Sequence, residues 1–117
     1  MAESKIRNIV SIVESGTSGI WTYRKWSDGT AECWGTSMAN TGSYYGSSAV
    51  YVSVDLPLTF VGSPVYAPSA WVSGDAYCNV AWSDVTTTHI NVYTKCYTQV
   101  ATGTTAYVRH YVIGQWK

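Results

Sequence analysis

Apolar and polar residues alternate along residues 49–56, and this is the clearest structural pattern in the chain. Every second residue from Val50 to Leu56 is apolar, and Tyr51, Ser53 and Asp55 lie between them. A period of two places successive side chains on opposite faces of a strand, so this segment is predicted to be a strand with one buried face. Pro57 ends it, because proline has no backbone N–H to donate.

Turn signals rich in glycine, proline, aspartate and threonine divide the rest of the sequence into further short β-prone segments. These segments are residues 20–26, 30–34, 65–73, 76–83, 89–97 and 106–115. In residues 65–73, Pro68 indicates an edge strand or a bulge. Short strands with turns about every ten residues are typical of a sandwich. We therefore predict an all-β fold, an antiparallel β-sandwich of about six strands, with residues 36–48 as a long exposed loop.

The densest aromatic segment is residues 19–35, which contain three tryptophans and one tyrosine. Ser27-Asp28-Gly29 divides it into two β-prone runs. Asp-Gly between such runs is a strong hairpin signal, because both residues tolerate the positive φ angles of tight turns. A hairpin is too small to be stable alone. Its aromatic surface must therefore pack on a second sheet, another subunit or a ligand.

The N-terminal segment is compatible with several structures. Its apolar residues are spaced as on one face of a helix, followed by a glycine suited to a C-cap: Ile6, Ile9, Val10, Val13 and Gly16. The alternatives are a short N-terminal helix or a piece of a coiled-coil stalk, a frayed leader, and a β-strand over residues 9–14. Residues 15–19 are predicted to be a link. We expect residues 1–15 to be a leader or short helix and residues 16–117 to be the β-sandwich domain.

Composition excludes several classes of function. Charged residues make up 12% of the chain and the net charge is zero, so a nucleic-acid partner is not expected. No stretch reaches the roughly 20 apolar residues of a membrane span, and the N-terminal segment lacks the features of a signal peptide. Six tryptophans and ten tyrosines in so uncharged a chain indicate aromatic rings at a subunit or ligand surface.

The three cysteines have no metal-binding or redox spacing. We interpret Cys33, Cys78 and Cys96 as buried, reduced thiols, consistent with synthesis in a bacterial cytoplasm. A Cys78–Cys96 disulfide is the alternative.

Catalytic motifs are missing from the sequence. The seven carboxylates have no spacing that indicates acid–base catalysis, and three of them lie in predicted turns. The two histidines, His89 and His110, have no neighbouring ligands for zinc. His110 shares a strand face with Val108 and Val112, which favours a position in the core or on a trimer axis. We expect no enzyme activity, no cofactor and no metal.

Carbohydrate binding is a more specific functional hypothesis than a purely structural role. Sugars offer C–H faces to aromatic rings and hydroxyls to polar side chains. Seven residues in or beside predicted loops could supply both kinds of contact. They are Tyr44 and Tyr45 in the long loop, Asp75 and Tyr77 at a turn, and Tyr97, Thr98 and Gln99 after the strand at 89–97. The alternative for each tyrosine is packing at the base of its own loop.

Three segments resemble the C-terminal domain of tail-associated structural proteins in phages and prophages of Gram-positive bacteria. They are IWTYRKW at residues 20–26, DGTAECWG at 28–35 and YVIGQWK at 111–117. Residues 56–60 with Ser63-Pro64-Val65, and residues 84–92, resemble the corresponding stretches of H-type lectins. The resemblance covers residues 14–117.

The resemblance implies a six-stranded sandwich that assembles as a homotrimer in the virion tail. In H-type lectins the sugar lies between protomers, held by an arginine and an aromatic–histidine pair. Those positions fall near Ala81 and at Tyr97-Thr98, so only the aromatic residue is retained. The expected function is a non-enzymatic module of a tail fibre or baseplate that recognises a host cell-surface glycan. The alternatives are a purely structural trimerisation or capping domain and a cell-wall hydrolase accessory domain.

Overall fold

The computed structural model describes residues 9–40, 49–72, 78–96 and 105–117. These residues form nine strands: β1 (Ile12–Ser18), β2 (Trp21–Trp26), β3 (Thr30–Asn40), β4 (Ala49–Asp55), β5 (Val61–Tyr66), β6 (Ser69–Val72), β7 (Cys78–Val85), β8 (His89–Cys96) and β9 (Thr105–Gln115). The strands pair antiparallel in one sheet of six strands, the large sheet, and one of three, the small sheet. The described part of the chain contains no helix, so the predicted all-β class is confirmed.

The aromatic hairpin is formed by β2 and β3, as predicted. Its turn has Gly29 at a φ of 97°, a conformation that favours glycine. The Asp28 carboxylate accepts a hydrogen bond of 2.9 Å from the backbone N–H of Thr30. That hydrogen bond lowers the pKa of Asp28. The Asp28-Gly29 pair therefore forms the predicted turn, and Gly29 adopts the positive φ on which the prediction was based.

Strand β9 lies at the centre of the large sheet. The strand order is β1-β2-β3-β9-β5, and β6 also pairs with β9. On one side β9 pairs with β3 over its whole length, and on the other side it pairs with β5 and then β6. The predicted strand at 65–73 is thus two strands, separated at Ala67-Pro68. Proline cannot donate to a ladder, which accounts for an interruption here.

The small sheet has the order β4-β8-β7, and its inner side packs on the large sheet. Two groups of buried residues fill the space between the sheets. One contains Val52, Val72, Val92, Ala106 and Val108, and the other Trp21, Ala31, Cys33, Leu58, Phe60, Ile90 and Val112. Val54 and Tyr66 contact both groups, so the core is continuous.

Two predictions about segments next to the strands are wrong, and the alternatives left open for the N-terminal segment are narrowed to one. From residue 9 onward the N-terminal segment is not helical, and the strand alternative is correct, although β1 begins at Ile12. The predicted link at 15–19 is mostly β1, and residues 36–40 of the predicted loop continue β3. Each segment pairs with a neighbouring strand, β2 or β9, and this pairing overrides its local sequence preference. The described residues therefore form nine strands, more than the six or so predicted.

The molecule is elongated. Its extents are 63 × 23 × 21 Å and its Cα radius of gyration is 17.7 Å, whereas a compact chain of this length has a radius of about 13 Å. Among the described residues, no helix is long and apolar enough to cross a membrane. Such a shape exposes much of both outer sheet faces.

Candidate functional site

A row of three aromatic side chains crosses the outer side of the small sheet. Tyr51 on β4 pairs with Tyr93 on β8, which pairs with Trp82 on β7. All three are exposed, Trp82 to 52%, and the two tyrosine rings are 5.6 Å apart between centroids. We call these residues, with the polar residues described next, the small-sheet outer face.

A β-bulge in β7 turns Trp82 toward solvent. Val80 pairs with Thr94 on the inner side, and the register shifts between Val80 and Trp82. Without this shift Trp82, two residues after Val80, would share the inner face. Bulges re-aim side chains in this way and are frequent beside functional sites. The tryptophan is therefore presented to solvent by the backbone itself.

A row of polar side chains lies beside the aromatic row. Asn91 Oδ1 accepts hydrogen bonds from the Tyr51 hydroxyl at 2.8 Å and from the Ser53 hydroxyl at 2.9 Å. Ser53 Oγ also lies 2.6 Å from His89 Nε2, and Asp84 pairs with Asn91 from the other side. The small-sheet outer face thus combines aromatic rings with hydroxyl, amide and carboxylate groups.

Ser53, His89 and Asp55 are linked in the order of a hydrolase triad. His89 Nε2 lies next to the Ser53 hydroxyl, and His89 Nδ1 lies 2.7 Å from Asp55 Oδ1. A triad carboxylate is buried, whereas the side chain of Asp55 is 91% exposed. Water therefore competes for the carboxylate and weakens its hold on the imidazole. The arrangement suits hydrogen bonding to a ligand better than catalysis.

The outer side of the large sheet is built differently. Arg24 lies over the rings of Trp26 and Trp34, 5.3 and 4.8 Å from their centroids. Its guanidinium donates hydrogen bonds of 2.6 and 3.2 Å to Glu32, which is only 8% exposed. The Tyr111 hydroxyl also donates to Glu32, which raises the pKa of Tyr111 to about 12. These five side chains form a closed cluster.

Further along the same surface, Trp71 stacks on Tyr107 with 5.1 Å between centroids, and Arg109 lies 5.0 Å from the Trp71 ring. Met38, which is 69% exposed, pairs with Tyr107 beside these rings. Val65 at 66% and Val61 at 61% are exposed on the same side of the sheet, toward the other end of β9. We call this side of β2, β3, β9, β5 and β6 the large-sheet outer face. An exposed apolar surface of this kind is typical of a protein contact.

His110 lies in the core, one of the two positions predicted for it. It is fully buried, with the Ser37 hydroxyl 2.7 Å from Nε2 and the Tyr66 hydroxyl 2.6 Å from Nδ1. Burial lowers the pKa of His110 from 6.5 to about 4. Burial likewise raises the pKa of the Cys33 thiol to about 12, so this cysteine is buried and protonated. The side chains of Cys78 and Cys96 lie outside the described residues.

Two other kinds of site, a surface depression and a cluster of metal ligands, were considered. A depression of about 520 Å³ lies beside β6 and β7 and is lined by Pro68, Ser69, Ala70, Asn79, Val80 and Ala81. These residues carry no titratable or aromatic side chain. Within the described ranges, no three His, Cys, Asp or Glu residues are grouped to hold a metal ion.

The seven carbohydrate-site residues predicted from the sequence, Tyr44, Tyr45, Asp75, Tyr77, Tyr97, Thr98 and Gln99, lie outside the described residues. The strand ends that flank them are described, and they lie together. Asn40 pairs with Thr105, Ala49 with Lys95, and Cys78 with Cys96. Near these ends, residues of both sheets share one group of buried side chains. The predicted loops are therefore anchored at the same end of the sandwich.

Sequence reasoning missed the small-sheet outer face. The alternation at 49–56 did place Tyr51, Ser53 and Asp55 on a common exposed side, and this is confirmed. Their partners on β7 and β8 could not be found, because strand register depends on contacts distant in sequence. The bulge before Trp82 leaves no clear signal in the alternation of residues.

The fold resembles part of a phage-tail-like fibre. Matching solved structures include an N-truncated R1-type pyocin tail fibre, with a TM-score of 0.66 and 16% identity over 97% of this chain and 93% of that chain. They also include the C-terminal part of a P. aeruginosa R1 pyocin fibre, with a TM-score of 0.67 and 16% identity. This chain covers 30% of that second chain. No protein-family model and no curated protein matches. At this identity the likeness establishes a shared fold.

Proposed function

We propose that the chain is a non-enzymatic module of a phage tail fibre or of the fibre of a phage-tail-like particle. The observation that carries this proposal is the fold likeness to pyocin tail fibres over 97% of the chain. The elongated shape of 63 × 23 × 21 Å suits a fibre component. The protein would accordingly be synthesised in the bacterial cytoplasm and assembled into the tail of a virion or of a tail-like particle.

The module assembles as a homotrimer through the large-sheet outer face. That face combines stacked aromatic rings with exposed Met38, Val61 and Val65. Aromatic residues, methionine and arginine are enriched at protein interfaces, and the residues here follow that pattern. Association would remove these apolar side chains from water, which stabilises the assembly.

The N-terminal segment supports the same conclusion. Ile9, Val10, Ile12 and Val13 are all large, apolar and roughly half or more exposed. Four such residues within five positions are unfavourable to leave in water and suit burial against a neighbouring subunit.

Sedimentation equilibrium tests the trimer. The wild-type protein is expected to have a mass near three times 12.8 kDa. Val65→Arg introduces a charge into the large-sheet outer face and is expected to dissociate the assembly. Thr59→Arg places the same charge at an exposed residue between β4 and β5, and should leave the mass unchanged. A monomeric wild-type protein, or equal effects of the two variants, would contradict the proposal.

The surface partner of the fibre module is a host cell-surface glycan. A trimer multiplies weak sites by avidity, which suits the modest affinity of single sugar contacts. The sequence-based candidates Tyr44, Tyr45, Asp75, Tyr77, Tyr97, Thr98 and Gln99 remain part of this proposal, and the common end at which their loops are anchored supports it. A glycan array probed with the intact protein tests it. A well-folded trimer that binds no glycan would favour the purely structural role.

A hydrolase is the second candidate, because Ser53, His89 and Asp55 are linked as in a triad. The exposed Asp55 carboxylate argues against it. Hydrolysis of p-nitrophenyl acetate, measured for the wild-type protein and for Ser53→Ala, decides between a hydrolase and a non-enzymatic module. We expect the two proteins to show the same rate. A rate that depends on Ser53 would replace the non-enzymatic proposal.

A further inference from the structure

The small-sheet outer face has the make-up of a sugar site. We infer that it binds a neutral saccharide, with one sugar ring stacked on Trp82 and its hydroxyl groups bonded to Ser53, Asn91 and Asp84. This inference rests on the proposed function, since it names the ligand class and the place of glycan contact on the fibre module.

The position of Trp82 is the first argument. Burying a tryptophan stabilises a small sandwich, because the side chain covers about 150–250 Å². The register shift in β7 forgoes that gain and leaves the indole 52% exposed. The two tyrosines in register with Trp82 extend the aromatic surface across all three strands.

The distance between aromatic and polar groups is the second argument. Residues two apart on a strand lie about 7 Å apart on the same face. The row of Ser53, Asn91 and Asp84 is therefore about one sugar ring away from the row of Tyr51, Tyr93 and Trp82. A ring stacked on Trp82 would present its hydroxyl groups to the carboxylate of Asp84 and the amide of Asn91.

The charge of the face is the third argument, and it selects the kind of saccharide. Asp55 and Asp84 bring two exposed carboxylates, and Lys95 brings one positive charge on the same side of β8. Among the described residues of this face, no arginine is available to pair with a carboxylate or phosphate. Anionic sugars would meet like charge, whereas neutral sugars can donate hydroxyl groups to both aspartates.

Titration of the intact, ¹⁵N-labelled protein tests the inference. Lactose and N,N′-diacetylchitobiose serve as neutral probes, and glucuronic acid is the anionic probe. The indole N–H signal of Trp82, assigned from its loss in Trp82→Ala, should shift saturably with at least one neutral probe. The signal of Trp71, on the opposite side of the molecule, should not move.

Variants then locate the site. Trp82→Ala should weaken binding of the neutral probe by at least about tenfold, as expected for a central aromatic contact. Asn91→Ala removes a polar contact and should weaken binding as well, which keeps the test decisive if Trp82→Ala fails to fold. Thr59→Ala is the control and should bind as the wild-type protein does.

Three outcomes would overturn the inference: no shift of Trp82 with either neutral probe, unchanged binding by both Trp82→Ala and Asn91→Ala, or equal binding of glucuronic acid. Sedimentation separates this failure from failure of the proposed function. A trimer without these shifts refutes the saccharide site alone, whereas a monomer refutes the fibre module.

Discussion

The two outer faces of the sandwich use similar residues in opposite ways. On the large-sheet outer face, Arg24 and Tyr111 close over Glu32, which is only 8% exposed. On the small-sheet outer face, Asp55 is held by His89 but its side chain is 91% exposed. One carboxylate is part of a closed cluster, and the other is open to water and to a ligand.

The same contrast holds for tryptophan. Trp71 stacks on Tyr107 beneath the Arg109 guanidinium, and exposed Met38 pairs with Tyr107 on the same face. Trp82 projects from a bulged edge strand beside hydroxyl and amide groups. Aromatic content alone therefore does not identify a sugar site. The neighbours of each ring decide whether it suits a subunit contact or a ligand.

The largest loss of stability is expected from a substitution in β3, because unfolding of the sandwich would remove both outer faces. A Cβ added at Gly35 would clash with the backbone carbonyl oxygen of Ile20 and lie 3.0 Å from its carbonyl carbon. Gly35→Ala should therefore destabilise the protein by at least about 3 kcal/mol, measured by urea unfolding at fixed protein concentration. At Gly16 an added Cβ meets only the flexible Tyr23 side chain, so Gly16→Ala should cost less. Similar losses in both variants would contradict this account.

Acid should destabilise the core that the two faces share. His110 has a pKa near 4 in the folded protein, and about 6.5 when unfolded. The unfolded chain therefore binds the proton first, and stability is lost as the pH falls from about 6.5 to about 4. The loss should reach up to about 3 kcal/mol. Urea unfolding across this range measures it. His110→Gln removes the imidazole that must be protonated and should lose this part of the acid dependence.

Removing the two carboxylates compares the faces directly. Glu32→Ala leaves Arg24 and Tyr111 without their acceptor and should cost about 2 kcal/mol. Asp55→Ala removes an exposed partner of His89 and should change stability by no more than about 0.5 kcal/mol. Urea unfolding of both variants is the measurement. Equal costs would show that the two faces do not differ as described.

The smallest effect is expected at alkaline pH. The hydrogen bond to Glu32 keeps the Tyr111 phenol protonated and raises its pKa to about 12, against 10.0 ordinarily. Stability from this group is present below about pH 10 and lost as the pH rises toward 12. Burial raises the pKa of Tyr66 still further, so that tyrosine ionises late in both proteins. Phenolate absorbance should therefore show one fewer late-ionising tyrosine in Tyr111→Phe than in the wild-type protein. Tyr51→Phe, on the small-sheet outer face, is the control and should retain the late titration.

Local patterns predicted much of the fold. The alternation in 49–56 and the Asp28-Gly29 turn each gave the correct element, because their causes lie within a few residues. For β1 the sequence left a strand as one of several alternatives, and the end of β3 was missed, because long-range pairing with β2 and β9 forms these segments. Pro68 was interpreted as the sign of an edge strand or a bulge within one strand, whereas it lies between two strands, β5 and β6.

The candidate site was less accessible to prediction. Tyr51, Ser53 and Asp55 were placed on the right face, but the partners Asn91 and Trp82 depend on register and on a bulge. The sequence-based site residues stay predictions, since all seven lie outside the described residues. The Gram-positive origin, the likeness to H-type lectins and the division at residue 15 also stay predictions.

The central position of β9 has a consequence for the making of the protein. Strands β3, β5 and β6 all pair with β9, so the large sheet cannot close until the ribosome has released residue 115. Until then the aromatic hairpin, translated some eighty residues earlier, lacks its neighbour. Strand pairs this distant along a chain form slowly, and the intermediates that precede them are prone to aggregate. Production of this polypeptide should therefore depend on chaperones that shield nascent chains.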